Sequence, residues 1–406
     1  MSDLEIRSVP ESELERMLDI TDLVFHVRIE DDVRDRFRWV PRRAERIGAY
    51  SGGTLVGQLA ALPMRLSVPG ALLDCSAVTM VGVLPTHRRR GVLTAMIERM
   101  HADAVEAGRP VAALWASQAG IYGRYGFGQA DRSITLEVDT SRPLGLRVEP
   151  DTRPLRLIER DEIPTVLGPL HERAIARRPG GLARDDEWWT EGIAPRVDHW
   201  HDEYSEVRIV VLEGDPGGYA IYRTRGENED TRAPGIVRLQ ELEADDTAVE
   251  AALWRYLAEI DLTGKIQAAG RPVDDLLPLL ASDPDQVTIE GDWGALWVRL
   301  VDVPFALRKR SWAGEDSLVI EVKDRRLPSN EERWRLTTGG DPRCEATADA
   351  PDLTMDVAEL GSVYLGGTQV RRLVRAGLVT EHTPGAAARL DRALEVPLTP
   401  HTNDDF

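Results

Sequence analysis

Alternating apolar and polar positions, punctuated by turn residues, divide the chain into short strands and amphipathic helices. Leu4–Val9 alternates as a strand, and Leu14, Met17, Leu18 and Thr21 then step at helical spacing toward Val24 and Phe25. Ile47–Tyr50 and Thr54–Leu62 flank the turn Ser51-Gly52-Gly53, and Pro69-Gly70 makes a second turn before the apolar stretch Ala77–Val83. That order predicts an antiparallel meander. After Pro85 the period becomes that of a helix, with Leu93, Met96, Ile97, Met100 and Ala104 on one face. Gly108-Arg109-Pro110 ends this helix, and Val111–Trp115 reads as a short buried strand.

The same grammar restarts near Leu155. A helix is expected around Ile163–Ala176, hairpin strands at Val207–Leu212 and Gly218–Arg223, and a strand at Ile236–Leu242. The helical stripe Val249, Leu253, Tyr256, Leu257, Ile260 follows. This strand–loop–helix order repeats that of Ala77–Met100, but the loop reads Glu243-Ala244-Asp245-Asp246 where the earlier one is basic. Carboxylates at a helix N-terminus cap it well and repel phosphate. From about Leu300 the pattern changes to short alternating segments, Ser317–Val322, Glu332–Thr337 and Cys344–Ala348. Helices follow near Met355–Ser362 and along Val370, Leu373 and Val374. Regions 1–152 and 153–298 are therefore expected to be α/β domains, and 299–406 a small α+β domain, which agrees with the two or three domains that 406 residues suggest.

Charge narrows the choice of partners. Fifty Lys and Arg against 69 Asp and Glu give a net charge of −19, the wrong sign for gripping a nucleic-acid backbone over a broad surface. The excess of acid permits a polycationic substrate, while an ordinary solvated surface is the more common meaning of such charge. The N-terminal segment lacks the apolar core of a signal peptide and no apolar run approaches a membrane span, so a cytoplasmic protein is expected, with leaderless secretion left open. Cys75 and Cys344, the only two cysteines, are far apart and make no disulfide framework. His199-Trp200-His201-Asp202 lacks further ligands nearby, and no metal is expected.

The segment richest in chemistry is Val81-Gly82-Val83-Leu84-Pro85-Thr86-His87-Arg88-Arg89-Arg90-Gly91-Val92-Leu93. A buried strand enters a basic loop, and a glycine stands where the next helix begins. Free amides at a helix N-terminus stabilise a pyrophosphate, glycine lets the backbone approach it closely, and arginines add charge-assisted bonds. By residue type alone the three arginines are also a solvated turn. In the later stretch Tyr122-Gly123-Arg124-Tyr125-Gly126-Phe127, Tyr122 is either an aromatic packed beneath a glycine turn or a proton donor, with Tyr125 the competing phenol.

These motifs resemble the GNAT superfamily of acetyl-coenzyme A dependent N-acetyltransferases, whose R/Q-x-x-G-x-G/A motif lies between a strand and a helix. Arg88, Gly91 and Leu93 fill its places, Leu93 standing where a small residue is usual. The stretches THRRRGVL and ASQAGIYGRYGFG are similar to the enhanced intracellular survival (Eis) family of multi-site aminoglycoside acetyltransferases, and this resemblance runs along the whole chain. It implies a mixed α/β (α+β) architecture: a catalytic GNAT domain over 1–152, a second GNAT-like domain without a cofactor motif over 153–298, and a sterol-carrier-like domain over 299–406. It also implies a homo-hexamer and a small-molecule amine substrate, aminoglycoside-like or extending to lysine side chains.

The resemblance further assigns roles. Backbone groups of Val81, Gly82 and Val83 would hold the pantetheine and the acetyl carbonyl. Arg89, Arg90, Gly91, Val92, Leu93 and Thr94 would cradle the pyrophosphate beside Arg88, and Ser117 and Gln118 would line the cofactor. Tyr122 would be the general acid toward the leaving thiolate, and the α-carboxylate of Phe406 the general base, with the Phe406 ring as anchor for the chain end. Phe25, Trp39 and Asp31-Asp32 would border the acceptor cleft. By residue type, Asp404 and Asp405 either add negative potential that attracts a polyamine or are ordinary solvated tail carboxylates, the default reading. Two other readings compete: a lipid or sterol carrier, which the charged run Glu331-Glu332-Arg333-Trp334-Arg335 does not advertise, and an acyl-coenzyme A sensor that binds without reacting.

Overall fold

The computed structural model describes residues 4–27, 34, 37–198, 201, 203–227 and 234–406. The first sheet contains β1 (Leu4–Ser8), β2 (Glu45–Ser51), β3 (Thr54–Val68), β4 (Ala71–Val83), β5 (Val111–Trp115), β6 (Gly128–Gln129) and the late strand β14 (Leu296–Leu300). Their order is β1-β2-β3-β4-β5-β14-β6, and only the pair β4–β5 is parallel. Helix α1 (Leu14–Phe25) packs on β4, and helix α2 (Val92–Glu106) is the crossover that a parallel pair requires. The expected apolar face of α2 is buried at Met96, Ile97, Met100 and Ala104, with Val92 in the core and Leu93 at its edge.

The second sheet has β7 (Arg132–Asp139), β8 (Arg156–Leu157), β9 (Arg208–Leu212), β10 (Gly218–Arg225), β11 (Gly235–Ala244), β12 (Thr263–Pro272) and β13 (Val287–Gly294), in the order β13-β7-β12-β11-β10-β9-β8. Helix α3 (Ile163–Arg177) precedes β9, and α4 (Thr247–Ala258) connects the parallel pair β11–β12, repeating the β4–α2–β5 unit. The third sheet, β17-β16-β15-β18-β19, is made of β15 (Ser317–Lys323), β16 (Arg333–Thr337), β17 (Arg343–Ala346), β18 (Leu353–Asp356) and β19 (Val379–Glu381). Helix α5 (Val357–Tyr364) follows β18 and packs on β14 and β6. Side chains on Gly128 or Gly361 would overlap the carbonyls of Ala358 and Val298, so these glycines let α5 lie directly on the strands. The charged run before β16 is ordinary strand alternation, with Trp334 and Leu336 turned inward.

The chain divides into two packed units: residues up to Asp131 with Ala295–Val396 and Phe406, and Arg132–Gly294 with Pro397–Asp405. Sheet membership therefore does not follow the expected boundaries at 152/153 and 298/299. β7 lies before the first boundary yet pairs with β12 and β13, and β14 spans the second boundary yet covers the edge of β5. An apolar strand carries its alternation in the sequence but not the identity of its neighbour, which is set by whichever sheet edge needs covering. Among the described residues, no helix is long and apolar enough to cross a membrane.

Within the first unit, Arg299 on β14 donates to Asp324 at 2.5 Å, with both side chains at most 1% exposed, and Asn330 also donates to that carboxylate at 3.0 Å. Removing one partner of a buried pair leaves an uncompensated charge. Arg299→Ala is expected to destabilise the chain by about 3–5 kcal/mol, read as a lowered urea midpoint by tryptophan fluorescence. A midpoint unchanged from the parent would contradict this account of the β14 packing.

Candidate active site

The first sheet opens where the chemistry-bearing segment begins. The parallel ladder between β4 and β5 runs from Cys75↔Val111 to Val78↔Leu114 and ends there. On the other side, β4 stays paired with β3 through Gly82 and Val83, but its register slips between Thr79 and Gly82. Three steps along β4 match two along β3, and Met80 takes a positive φ of 50° at this bulge. A bulge turns the strand and re-aims its groups. Beyond Val78, one edge of β4 no longer has β5 beside it, so its backbone groups there can pair with a ligand amide as a strand would. Val81, Gly82 and Val83 are in this stretch, and α1 backs it through Ile20 and Val24, which lie against Gly82.

After β4 the chain makes a short turn at Pro85–His87, and Arg88 Nε donates to the Val83 carbonyl at 3.1 Å, fastening the loop to the strand it leaves. Arg89 has a φ of 61° and Gly91 of 79°. Gly91 is the N-cap of α2 and has no side-chain cap, while the first bond into the helix runs from Ala95 N to Gly91 O at 3.0 Å. The amides of Val92, Leu93 and Thr94 precede that bond and point out of the helix end. A Cβ on Gly91 would meet nothing within 4 Å, so the left-handed backbone and not crowding selects glycine here. Arg88, Arg89 and Arg90 are exposed around this open N-terminus. The donor set fits a diphosphate: uncapped amides, positive charge, and a backbone open to close approach.

Strand β5 leads to Ser117 and Gln118, both exposed, and then to a single helical turn, Ala119–Tyr122. Tyr122 is buried and meets Phe127 edge-on at 6.2 Å. Burial pushes its phenol above the usual value near 10, and the Ser117 hydroxyl, hydrogen-bonded to it, partly offsets that rise. Tyr125 is also buried, with its hydroxyl 3.2 Å from that of Thr94 in the first turn of α2. The two phenols are thus distinguished by their partners: Tyr125 is tied to the helix start, Tyr122 to the loop after β5.

The acceptor-side expectations fare unevenly. Phe25 is exposed at the end of α1, and Trp39 is half-buried in the short helix Trp39–Arg43, 5.7 Å from the Arg43 guanidinium. Asp31 and Asp32 lie outside the described residues, as do His199, Trp200 and Asp202 of the His199–Asp202 run. Cys75 and Cys344 are buried free thiols, each pushed up to about 12 by burial. Asp405 is exposed, but Asp404 is not the solvated tail carboxylate expected: it is fully buried in the second unit and paired with Arg184. Phe406 is half-buried and belongs to the first unit, the one that carries Tyr122.

The repeat in the second unit has the opposite character. Asp246 caps α4 by accepting from Val249 N at 2.9 Å, and Asp245 is held by Arg173 and Arg177, each at 2.5 Å. These arginines keep the Asp245 carboxyl well below the usual range. The neighbouring cleft, about 260 Å³, includes Glu243 and Glu250; burial raises both carboxyls, Glu250 to about 7. A helix start already satisfied by carboxylates has no place for a phosphate. Sequence reading anticipated this loop and missed the Met80 bulge and the Arg184–Asp404 pair. Neither leaves a local signal, since a bulge depends on register and the pair spans 220 positions.

Residues 5–130 match an acetyltransferase (GNAT) domain family, residues 180–300 a second acetyltransferase (GNAT) domain family, and residues 303–403 a sterol carrier protein domain family. An uncharacterized N-acetyltransferase of Streptomyces avermitilis is 40% identical over 87% of both chains. The N-acetyltransferase Eis of Mycobacterium tuberculosis is 33% identical over 89% of this chain and 88% of its own. The crystal structure of Eis1 from Mycobacterium abscessus superposes with a TM-score of 0.86 at 33% identity, covering 99% of this chain and 100% of that one. The fold, the two GNAT domains and the sterol-carrier-like domain agree with one another, and the chain belongs to the Eis-like N-acetyltransferases.

Proposed function

We propose that this acetyltransferase moves the acetyl group of acetyl-coenzyme A onto amines of polycationic small molecules, aminoglycoside-like in character, and onto lysine side chains. The observation that carries the reading is the opened edge of β4 running into the uncapped helix start at Gly91, with the buried Tyr122 on the next strand's loop. The coenzyme supplies an activated thioester. Val81–Val83 pair with its pantetheine arm, and the Val92–Thr94 amides with Arg88, Arg89 and Arg90 hold its pyrophosphate, while Ser117 and Gln118 border the arm.

Tyr122 keeps its proton through the physiological range, because burial raises its pKa above an ordinary phenol's. It can therefore donate to the departing thiolate. The Phe406 α-carboxylate, ionised at neutral pH, takes the proton of the incoming ammonium, directly or through one water. The net charge of −19 favours a cationic acceptor by long-range attraction.

Coenzyme release from acetyl-coenzyme A, measured against a panel of polyamines, aminoglycosides and lysine peptides, tests the reading; absence of release with every acceptor of the panel would overturn it. Tyr122→Phe is expected to lower turnover by about 10²–10⁴-fold with coenzyme affinity nearly unchanged. Tyr125→Phe is the control, and a larger loss there would reassign the acid. For the pyrophosphate cradle, replacing Arg88 or Arg89 by Gln, or Gly91 by Val, should weaken coenzyme A binding about tenfold or more in calorimetric titration. Unchanged affinity in all three would remove the cradle.

A further inference from the structure

The chain end is fastened in the second unit at three successive points. Thr399 N donates to Asp274 Oδ2 at 2.8 Å and the Thr399 carbonyl accepts from Arg178 at 2.6 Å; His401 N donates to the Pro179 carbonyl at 2.9 Å. The third point is the side chain of Asp404. Its Oδ1 accepts from Arg184 Nε at 2.7 Å and from the Trp188 indole at 2.9 Å. Its Oδ2 accepts from Leu182 N at 3.0 Å and from the Thr402 hydroxyl at 3.3 Å. The two remaining nitrogens of Arg184 donate to Glu241 at 2.9 and 2.8 Å, and the Tyr219 hydroxyl also donates to Glu241. Asp404, Arg184 and Glu241 are each at most 2% exposed.

We propose that Asp404 is a positioning residue for the terminal carboxylate, its side chain held in place by Arg184. The proposal rests on the Phe406 carboxylate being the base. Two residues separate Asp404 from the end, so the carboxylate stays within about 7 Å of a fixed point. Of the three points named above, the one before Asp404 is His401, five residues from the end, and the reach measured from it is about 17 Å. Measured from His401, the volume open to the carboxylate is more than ~10-fold larger, and its effective concentration at the amine is lower by the same factor. A buried ion network adds little stability over apolar packing of the same volume, but it admits only one arrangement of its members. That is the property a catalytic chain end requires.

The test uses the full chain with an N-terminal tag. In Asp404→Asn, kcat should fall at least ~10-fold while KM for acetyl-coenzyme A stays as in the parent, and added formate should restore part of the turnover. Extending the chain beyond Phe406, which turns its carboxylate into an amide, should lower turnover further, and formate should rescue the extended chain in the same way; deleting Phe406 moves the carboxylate back to Asp405 and should lower turnover as well. A second variant inserts one glycine between Asp404 and Asp405, leaving every bond of the buried network in place while displacing the carboxylate; it too should lose turnover at unchanged KM. If Asp404→Asn does not fold, this insertion decides, and full activity in it overturns the proposal. Parent-like turnover in Asp404→Asn overturns the positioning role alone, provided extension of the chain beyond Phe406 still abolishes activity. Parent-like turnover in the chain extended beyond Phe406 overturns the base reading and the proposal with it. Loss in Asp404→Asn without formate rescue, with KM rising in step, would mark the pair as merely structural and overturn the proposal.

Discussion

Arg184 divides one guanidinium between two buried carboxylates, Asp404 two residues before the end of the chain and Glu241 in β11. The seating of the chain's last residues depends on that fork. Taking three charges out of water is costly, and only complete pairing with good geometry offsets the cost. Here the pairing is complete at every nitrogen of the fork, with the Trp188 indole and the Leu182 amide occupying further acceptor sites on Asp404. Arg184 outweighs desolvation and holds the Asp404 carboxyl below its ordinary value of 3.8. The stability this group contributes is therefore complete above that value and is lost only as pH falls through the lowered one. Around neutrality the fastening is constant.

The two α/β units show how one architecture is turned to different ends by a few residues. Both cross from one strand to a parallel neighbour through a helix, β4–α2–β5 and β11–α4–β12. In the first, glycine at the helix start and no side-chain cap leave amides for an anion from outside. In the second, Asp246 supplies the cap from within and Asp245 is already neutralised by Arg173 and Arg177. The positive end of the helix is satisfied in both cases, by an exogenous diphosphate in the proposed reading of one and by the chain itself in the other.

Much of this was legible in the sequence wherever the determinant is local. The strand limits Val111–Trp115 are the same in pattern and structure, α2 buries the face that its period marks, and the acidic loop of the second unit caps as its residues suggest. Non-local determinants were not legible. Nothing in Leu296–Leu300 says that it pairs with β5, and nothing in Asn403-Asp404-Asp405-Phe406 distinguishes a buried carboxylate from an exposed one two positions from the end. A tail rich in acid reads as solvated because isolated burial of charge is so unfavourable. The compensating arginine lies far upstream, in a loop whose own pattern gives no sign of it. The sequence points to the ring of Phe406 as an anchor, whereas the structure shows Asp404 fastened by four hydrogen bonds to its side chain.

Hydrogen exchange of the intact chain, resolved at the tail, tests this account most directly. The amides of His401 and Asp404 are bonded to the Pro179 carbonyl and the Thr402 hydroxyl, and Leu182 N is bonded to Asp404 itself. The account predicts that all three exchange slowly, protected together with the β11 amides around Glu241 and released with them. Exchange of the tail amides at the rate of an unstructured peptide, while β11 remains protected, would contradict it.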